Sequence, residues 1–422
     1  MTHQERQKYR VVSLGCRTNQ YEGQAFQDQL EASGFSLASQ NEAADICIVN
    51  TCTVTEQADS ASRHEIKKLK KENPNSKIIV TGCFAENHPE DAASIAGVDK
   101  VVSNKDKENL LSLVYPEKEF PEFSVKRFNA NTRAFVKVQD GCNSFCSYCI
   151  IPYVRGRSRS RSLDDILKEI QDLIDNGFKE IVLTGINIGD FDGGSENPPV
   201  RLAELVRKVD SMEGIHRIRV SSIDPDEVDE DLADAILNGK KTCHSMHVVL
   251  QSGSNVILKR MNRKYTRQIF FKTVDFLRSE SPDFTFTTDI IVGFPGETEI
   301  DHLDTLSAMR EVRFAKVHMF PYSDRERTKA SSMPNKVSPS IISRRKQEVL
   351  RLSEKLSFEL RESFLGREMT VLTEKREGQG KIEGHTENFL NVLIQSDTLK
   401  PNEIVRVKLI ENTPAGLIGE LL

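Results

Sequence analysis

Along residues 9–104 short apolar runs alternate with stretches whose apolar residues recur at helical spacing. Tyr9-Arg10-Val11-Val12-Ser13-Leu14 precedes a helix-like segment near Gln20–Ala32, Ile46-Cys47-Ile48-Val49 precedes another near Glu56–Lys71, and Lys77-Ile78-Ile79-Val80 precedes a shorter one. A strand followed each time by an amphipathic helix predicts βαβ units and a doubly wound parallel sheet. From about Asn131 to Phe364 the rhythm continues through Ala134–Val138, Glu180–Gly185, Arg217–Ser222, Met246–Gln251, Phe284–Gly293 and Ala315–Phe320. Six units predict a central partial (βα)6 barrel with its working loops at the carboxyl ends of the strands, since a full eight-unit barrel needs more chain. A long amphipathic helix opens at Arg344-Arg345-Lys346 and ends near Leu365-Gly366, after which the period becomes strand-like in Met369–Thr373, Asn391–Ile394 and Ile404–Ile410. This switch predicts a separable small β-barrel. The expected class is α/β, divided into an amino-terminal domain at 1–118, a linker at 119–130, a central domain at 131–365 and a carboxyl-terminal domain at 366–422.

A chain of 422 residues exceeds what one hydrophobic core usually serves, which agrees with several domains. The net charge of −5 gives no bulk support for a nucleic-acid partner, so any such partner must be argued locally. No apolar run approaches the roughly 20 residues that cross a bilayer, so no membrane is expected. The start, Met1-Thr2-His3-Gln4-Glu5-Arg6-Gln7-Lys8, lacks the apolar segment of a secretory signal. A cytoplasmic location follows, where thiols stay reduced and clustered cysteines more often serve metals or catalysis than disulfides.

That compartment gives the cysteines their weight. Cys142, Cys146 and Cys149 follow the strand-like run Ala134–Val138. Three thiolates at this spacing can hold three irons of a four-iron cluster and leave the fourth iron open to a ligand. The next cysteine, Cys243, is far along the chain, so a closed electron-transfer cluster fits poorly. Structural zinc, the alternative, usually takes four ligands in paired groupings, and no second pair follows. Cys16, Cys52 and Cys83 each stand just past the carboxyl end of a predicted strand, and in open α/β sheets those ends line one crevice. They can converge on a second cluster, again with three protein ligands, while Gly15 and Gly82 suit tight turns or close backbone approach. Burial as structural thiols is the plain alternative for any free cysteine, and it is the expectation for Cys47, inside a strand run, and for Cys243.

Cys-x-x-x-Cys-x-x-Cys, with the aromatic in Cys146-Ser147-Tyr148-Cys149, resembles the signature of radical S-adenosylmethionine enzymes. The resemblance implies that the open iron takes the amino and carboxylate groups of S-adenosylmethionine and that an injected electron cleaves the cofactor to a 5′-deoxyadenosyl radical. Leu14-Gly15-Cys16-Arg17-Thr18-Asn19-Gln20-Tyr21-Glu22, Val49-Asn50-Thr51-Cys52-Thr53-Val54 and Val80-Thr81-Gly82-Cys83 extend it over nearly the full chain to the methylthiotransferases. That family implies two [4Fe-4S] clusters, the second carrying a sulfur that is methylated and inserted into a carbon–hydrogen bond, and an electron donor such as flavodoxin or ferredoxin. It also implies cofactor contacts at the strand ends: Thr184, Gly185 and Asn187 near the methionyl end, Ser221, Ser222, Gln251 and Ser252 near ribose, and Ile291, Val292 and Gly293 near adenine. Ordinary turn chemistry is the alternative for each of these alone. Val248-Val249 departs from the Leu-Pro expected there.

Pro152-Tyr153-Val154-Arg155-Gly156-Arg157-Ser158-Arg159-Ser160-Arg161-Ser162 sets four arginines beside the first triad. Either this is a solvated basic loop, or Arg155, Arg157, Arg159 and Arg161 meet an anionic substrate through charge-assisted hydrogen bonds. The last segment resembles the TRAM module of RNA-modifying methylthiotransferases, with a structural cap as the alternative, because Phe389 is its only aromatic. Gln139-Asp140-Gly141-Cys142-Asn143 and Leu183–Gly189 resemble the branch that adds a methylthio group to C2 of N6-threonylcarbamoyladenosine at position 37 of transfer RNA. Branches acting on isopentenyladenosine or on a ribosomal-protein aspartate stand beside it, as does a non-enzymatic iron–sulfur RNA-binding or redox-sensing protein.

Overall fold

The computed structural model of the protein describes residues 6–126, 132–194, 197–378 and 380–422. Met1–Glu5 and the end of the expected linker lie outside them. Strands β1 (Lys8–Ser13), β2 (Ser36–Leu37), β3 (Ile46–Thr51), β4 (Lys77–Gly82) and β5 (Lys100–Val101) form one parallel sheet in the order β2-β1-β3-β4-β5. β3 is buried throughout because helices cover both faces, which is why its sequence is apolar without alternation. Phe26 and Leu30 of the helix Arg17–Ala32 pack on Tyr9, Ile48 and Ile79, while Ile66 and Leu69 of the helix Glu56–Glu72 pack on Cys47, Val49 and Val80. Cys47 is thus a core residue, as expected.

The central strands are β6 (Arg133–Lys137), β9 (Glu180–Thr184), β10 (Arg217–Val220), β11 (Ser245–His247), β12 (Thr285–Val292) and β13 (Lys316–Pro321). A short antiparallel ribbon, β7 (Gln139–Asp140) with β8 (Arg159–Ser160), ties the intervening cysteine loop back to the end of β6. The six strands run parallel in two sheets, β6-β9-β10 and β11-β12-β13, joined by isolated bridges at Ile218–Thr242 and Ile223–Val248. At the departure noted above, Val249 donates its backbone N–H to the Ile223 carbonyl at 3.1 Å. Proline has no such donor, so valine here adds a stitch between the two sheets. Alternation divides the strands: Ala134, Val136, Ile181, Leu183, Ile218, Met246, Phe286 and Ile290 share one core against the outer helices. The opposite positions, among them Arg133, Phe135, Glu180, Arg219, His247, Thr287, Asp289 and His318, line a polar lumen.

The helix Pro339–Glu362 leads to a closed barrel of β14 (Glu368–Glu377), β15 (Lys381–Thr386), β16 (Asn391–Gln395), β17 (Ile404–Thr413) and β18 (Gly416–Leu421), in the order β14-β15-β16-β18-β17. β15 and β18 escape the periodicity because Gly384 and Gly419 interrupt the apolar face; a Cβ on Gly384 would strike the Leu372 carbonyl of the neighbouring strand. The barrel is fastened across the amino ends of the central strands. Arg217 donates to the carbonyls of His385 and Thr370 (2.9 and 2.8 Å), and Arg219 to those of Glu387 and Thr386 (2.9 and 2.8 Å). Phe389 sits 5.0 Å from each of the Arg133 and Arg219 guanidinium groups and stacks on His385 at 4.6 Å. The segment's one aromatic therefore plugs the lower end of the lumen and does not face outward for base stacking.

Candidate active site

The first cysteine set is held by the residues between its own members. Cys16 caps the helix Arg17–Ala32 after a turn at Gly15, where a Cβ would run into Cys52 Sγ. Asn50 donates to the Asn19 carbonyl (3.1 Å) and to Glu22 (3.0 Å), and Asn19 donates to the carbonyls of Leu14 and Thr51 (2.6 and 3.0 Å). These bonds knot the loops after β1 and β3 together. Gly82 adopts φ +96° with the Thr51 backbone against its α-carbon, and Cys83 follows at once as the first residue of the helix Cys83–Asn87. Burial pushes the Cys52 thiol up to about 12, with Cys83 and Cys16 adding to the rise. Three thiols in one crevice, whose ionised forms repel one another, could serve as a donor set for a metal cluster, whose cationic irons would take them as thiolates.

The second set lies past β6. Cys142, Cys146 and Cys149 occupy a loop that passes through a left-handed residue, Phe145 (φ +48°). The segment after the helix Asn255–Arg260 holds that loop: Asn262 donates to the Phe145 carbonyl (3.0 Å), and the Ser147 N–H and hydroxyl bond to the Met261 and Arg260 carbonyls (2.9 and 2.8 Å). Arg263 donates to Cys146 Sγ at 3.0 Å and pairs with Asp224, a fixed positive charge on one thiol. Burial pushes Cys149 up to about 12, and Cys146 and Cys142 raise it further. Among the described residues no three His, Cys, Asp or Glu side chains group as they would around a single metal ion. A four-iron cube is a larger body and spreads its thiolates wider. No third such set exists among the described residues, because Cys47 and Cys243 are isolated and buried.

The first set touches the segment that follows the second at one place. Cys83 packs with Ile150 and Val154, and Ile150 directly follows Cys149. The arginines next to this contact differ in surroundings. Arg155 is buried and bonds Glu22 (3.0 Å), Asp140 (2.8 Å) and Asn19, linking the knot of the first set to the ribbon beside the second. Arg161 is equally committed, to Glu169 (2.7 Å), the Tyr21 hydroxyl (3.1 Å) and the Lys137 carbonyl (3.0 Å). These two therefore depart from the expectation of a strip facing substrate: the chain re-enters the interior on either side of the ribbon. Arg159 is half-exposed and shares Asp140 (2.8 Å), and Arg157 is exposed over the Phe145 ring at 4.3 Å with no ion pair among the described residues.

At the rim above the lumen, the Ser221 hydroxyl and Gln251 Oε1 are buried without a hydrogen-bond partner among the described residues, with Gln251 held at φ +62°. Asn187 donates its backbone N–H to Gln139 Oε1 (2.9 Å) and its side-chain amide to Glu227 (2.8 Å). Burial and then Asp224 push Glu227 up to about 7. Orphaned polar atoms at the ends of β10 and β11 fit a ligand rich in hydroxyl and amino groups, which the S-adenosylmethionine expectation requires. Other residues of that expectation serve packing. The Ser252 hydroxyl accepts from the Ser254 N–H (3.2 Å), Gly185 lies against Gln139, and Gly293 lies against Ile342. Thr184, Val292 and Ile291 are buried at the rim, and Ser222 is half-buried beside Ser221.

Several site groups were not anticipated. Arg263 and Glu227 carry no motif signal. His247, Asp289 and His318 do carry one, as polar residues at alternate positions inside apolar strand runs. His247 Nε2 stands 3.4 Å from Asp289, and its Nδ1 bonds Thr287 at 3.0 Å. Arg17, next to Cys16, reaches into the same lumen and lies 5.8 Å over the Phe135 ring. Solvent reaches its side chain through the mouth, yet protein surrounds it closely enough that burial, then Arg133 and Arg219, push it down to about 10.

Residues 136–309 match the family model described as Radical SAM superfamily, and residues 8–103 match that of Uncharacterized protein family UPF0004. The chain is 46% identical over 417 residues to the threonylcarbamoyladenosine tRNA methylthiotransferase MtaB of Chlamydia pneumoniae, covering 98% of each. It is 34% identical over 441 residues to the tRNA-2-methylthio-N(6)-dimethylallyladenosine synthase of Clostridium perfringens, covering 98% of this chain and 97% of that one. The fold is similar to the radical S-adenosylmethionine methyltransferase TsrM of Kitasatospora setae, solved with cobalamin and a [4Fe-4S] cluster, at a TM-score of 0.58 with 14% identity and 77% of each chain covered. The chain belongs to the radical S-adenosylmethionine superfamily and, within it, to the transfer-RNA methylthiotransferases.

Proposed function

We infer that the protein converts N6-threonylcarbamoyladenosine at position 37 of transfer RNA to its 2-methylthio derivative, using S-adenosylmethionine and two [4Fe-4S] clusters. The observation that carries this reading is the packing of one three-cysteine set, through Cys83, on Ile150 and Val154 just after the second set, which comes from a different sheet. Cys142, Cys146 and Cys149 hold the cluster that receives the cofactor, and Cys16, Cys52 and Cys83 hold the second. When bound, these groups supply hydrogen-atom abstraction and the sulfur. The chain orients them: Ser221, Gln251 and Asn187 take polar groups of the cofactor at the rim, and Arg263 fixes a positive charge on Cys146. The choice of substrate rests on the Chlamydia pneumoniae relative at 46% identity, against 34% for the dimethylallyl relative, and on a lumen lined by charged and imidazole groups that suits a carboxylate better than an alkene. Arg157 and Arg159, exposed beside the mouth, contact the anticodon phosphates. A small flavodoxin or ferredoxin supplies electrons, and the enzyme works in the cytoplasm; no helix among the described residues is long and apolar enough to cross a membrane.

Mass analysis of transfer-RNA nucleosides from cells lacking the protein tests the assignment. Loss of the 2-methylthio derivative of threonylcarbamoyladenosine, with the unthiolated nucleoside accumulating, is the expected result. Loss of the methylthio group from isopentenyladenosine instead would move the protein to the other branch.

A further inference from the structure

We propose that Arg17 is the specificity-determining residue that reads the carboxylate on the N6 substituent of the substrate. The inference rests on the substrate reading above and names the group that enforces it. Arg17 is the first residue of its helix and the immediate neighbour of Cys16, and its guanidinium lies over Phe135 inside the central lumen. Phe135 is two residues short of the end of β6, and Asp289, also within electrostatic reach of Arg17, is three short of the end of β12. Arg17 therefore reaches below the rim where Ser221 and Gln251 present their orphaned atoms, into space that a substituent projecting from the base would enter.

The other lumen guanidinium groups are already matched. Arg133 pairs with Glu374 at 2.8 Å, Arg219 with Glu180 at 2.7 Å, and Arg217 with the carbonyls of the carboxyl-terminal barrel and with Glu180 at 3.7 Å. Asp289, within electrostatic reach of Arg17, has His247 Nε2 at 3.4 Å. Arg17 makes no hydrogen bond or ion pair among the described residues. It is a positive charge over Phe135 in a half-enclosed polar space, with Asp289 and Glu180 within electrostatic reach but not bonded to it, so an incoming anion would find it unpaired. An alkenyl substituent would leave Arg17 desolvated and unpaired. Placing the reader one residue from Cys16 ties recognition of the substituent to the site of the second cluster, so that only the correct nucleoside seats its C2 there.

The test compares binding of three anticodon stem-loops to the cluster-reconstituted protein in the absence of reductant. They carry threonylcarbamoyladenosine, its neutral methyl ester, and dimethylallyladenosine. Wild type should bind the carboxylate RNA about tenfold to a hundredfold more tightly than the ester. Arg17→Gln should abolish that preference, and Arg17→Lys should keep part of it. Iron and sulfide contents confirm that each variant retains both clusters. Should Arg17→Gln lose the second cluster, the carboxylate-to-ester ratio of wild type and of Arg17→Lys still decides the matter, since equal ratios near one in both overturn the proposal. An undiminished preference in Arg17→Gln overturns it as well. So does equal weakening of all three RNAs, which marks a phosphate contact, or a loss confined to S-adenosylmethionine affinity, which marks a contact to the cofactor's own carboxylate. Wild type that prefers the dimethylallyl RNA would instead overturn the substrate reading beneath it.

Discussion

Arg155 and Arg157 stand two positions apart and predict opposite phenotypes. Arg155→Met leaves Glu22 and Asp140 buried without their shared partner, and breaking such a pair should cost about 3 kcal/mol in denaturant unfolding. Arg157→Gln should leave stability unchanged and weaken transfer-RNA binding with a shallower salt dependence. The same buried group sets a pH limit. Burial would push the Glu22 carboxyl up, but Arg155, Lys107 and Lys137 outweigh it and hold it well below its ordinary value of 4.5. A carboxylate depressed in the folded state stabilises above its unfolded value and loses that contribution as pH falls toward the folded one. Thermal melting should therefore drop below about pH 4.5, and less steeply in Arg155→Met, whose Glu22 is less depressed. Glu227 has the opposite sign. Raised to about 7 chiefly by burial, it favours the folded state when protonated, so its contribution fades as pH rises from its ordinary 4.5 toward 7. Glu227→Gln keeps the Asn187 bond without the charge, and should raise the melting temperature at pH 8 while leaving it near wild type at pH 5.

Among the elements, the strand-end turns and the docked barrel carry the most consequence. Gly82→Ala would drive a Cβ into the Thr51 backbone at a left-handed φ, displacing both Cys83 and Cys52. The variant should fold and hold about half the iron of wild type, because the loop with Cys142, Cys146 and Cys149 is built on other strands. The carboxyl-terminal barrel behaves differently from the separable module its periodicity suggests. Its turn at residues 386–389 accepts hydrogen bonds from Arg219 and inserts Phe389 between two guanidinium groups. Deleting residues 366–422 should therefore lower the melting temperature of the remainder as well as weaken RNA binding, because Arg217, Arg219 and Glu180 lose their cover. A truncated protein that melts like wild type would show that the docking contributes nothing to the central fold.

For the molecule as a whole, the two cysteine sets should be separable by content but not by activity. Replacing Cys142, Cys146 and Cys149 with alanine should remove one cluster and abolish S-adenosylmethionine cleavage. Replacing Cys16, Cys52 and Cys83 should remove the other and leave cleavage intact without methylthiolation. Iron and sulfide counts with product analysis check both. Cofactor cleavage surviving in the first variant would sink the assignment of roles.

The sequence by itself determined the principal strands of the two α/β units, their parallel βαβ character and the placing of two cysteine sets just past strand ends. These features are local: a run of β-branched residues buries on a two-sided sheet, and in a parallel α/β layer the residue after each strand must arrive at the same edge. The family motifs Leu14–Glu22 and Val49–Val54 were legible too, although not the reason for them, which is a knot of Asn19, Glu22 and Asn50 between two loops. Only the tertiary structure decided which charges face one another. Four arginines that look alike in sequence divide into Arg155, matched by Glu22 from a distant helix, Arg161, matched by Glu169 of the helix that follows and by Tyr21 from the amino-terminal domain, and Arg157 and Arg159, left near solvent. The same holds for Arg17, whose direction depends on how the amino-terminal sheet sits over the central lumen, and for Phe389, turned inward by partners far away in the chain. Ion pairs and stacking between modules depend on separations that no local period encodes, so they become visible only when the modules are assembled.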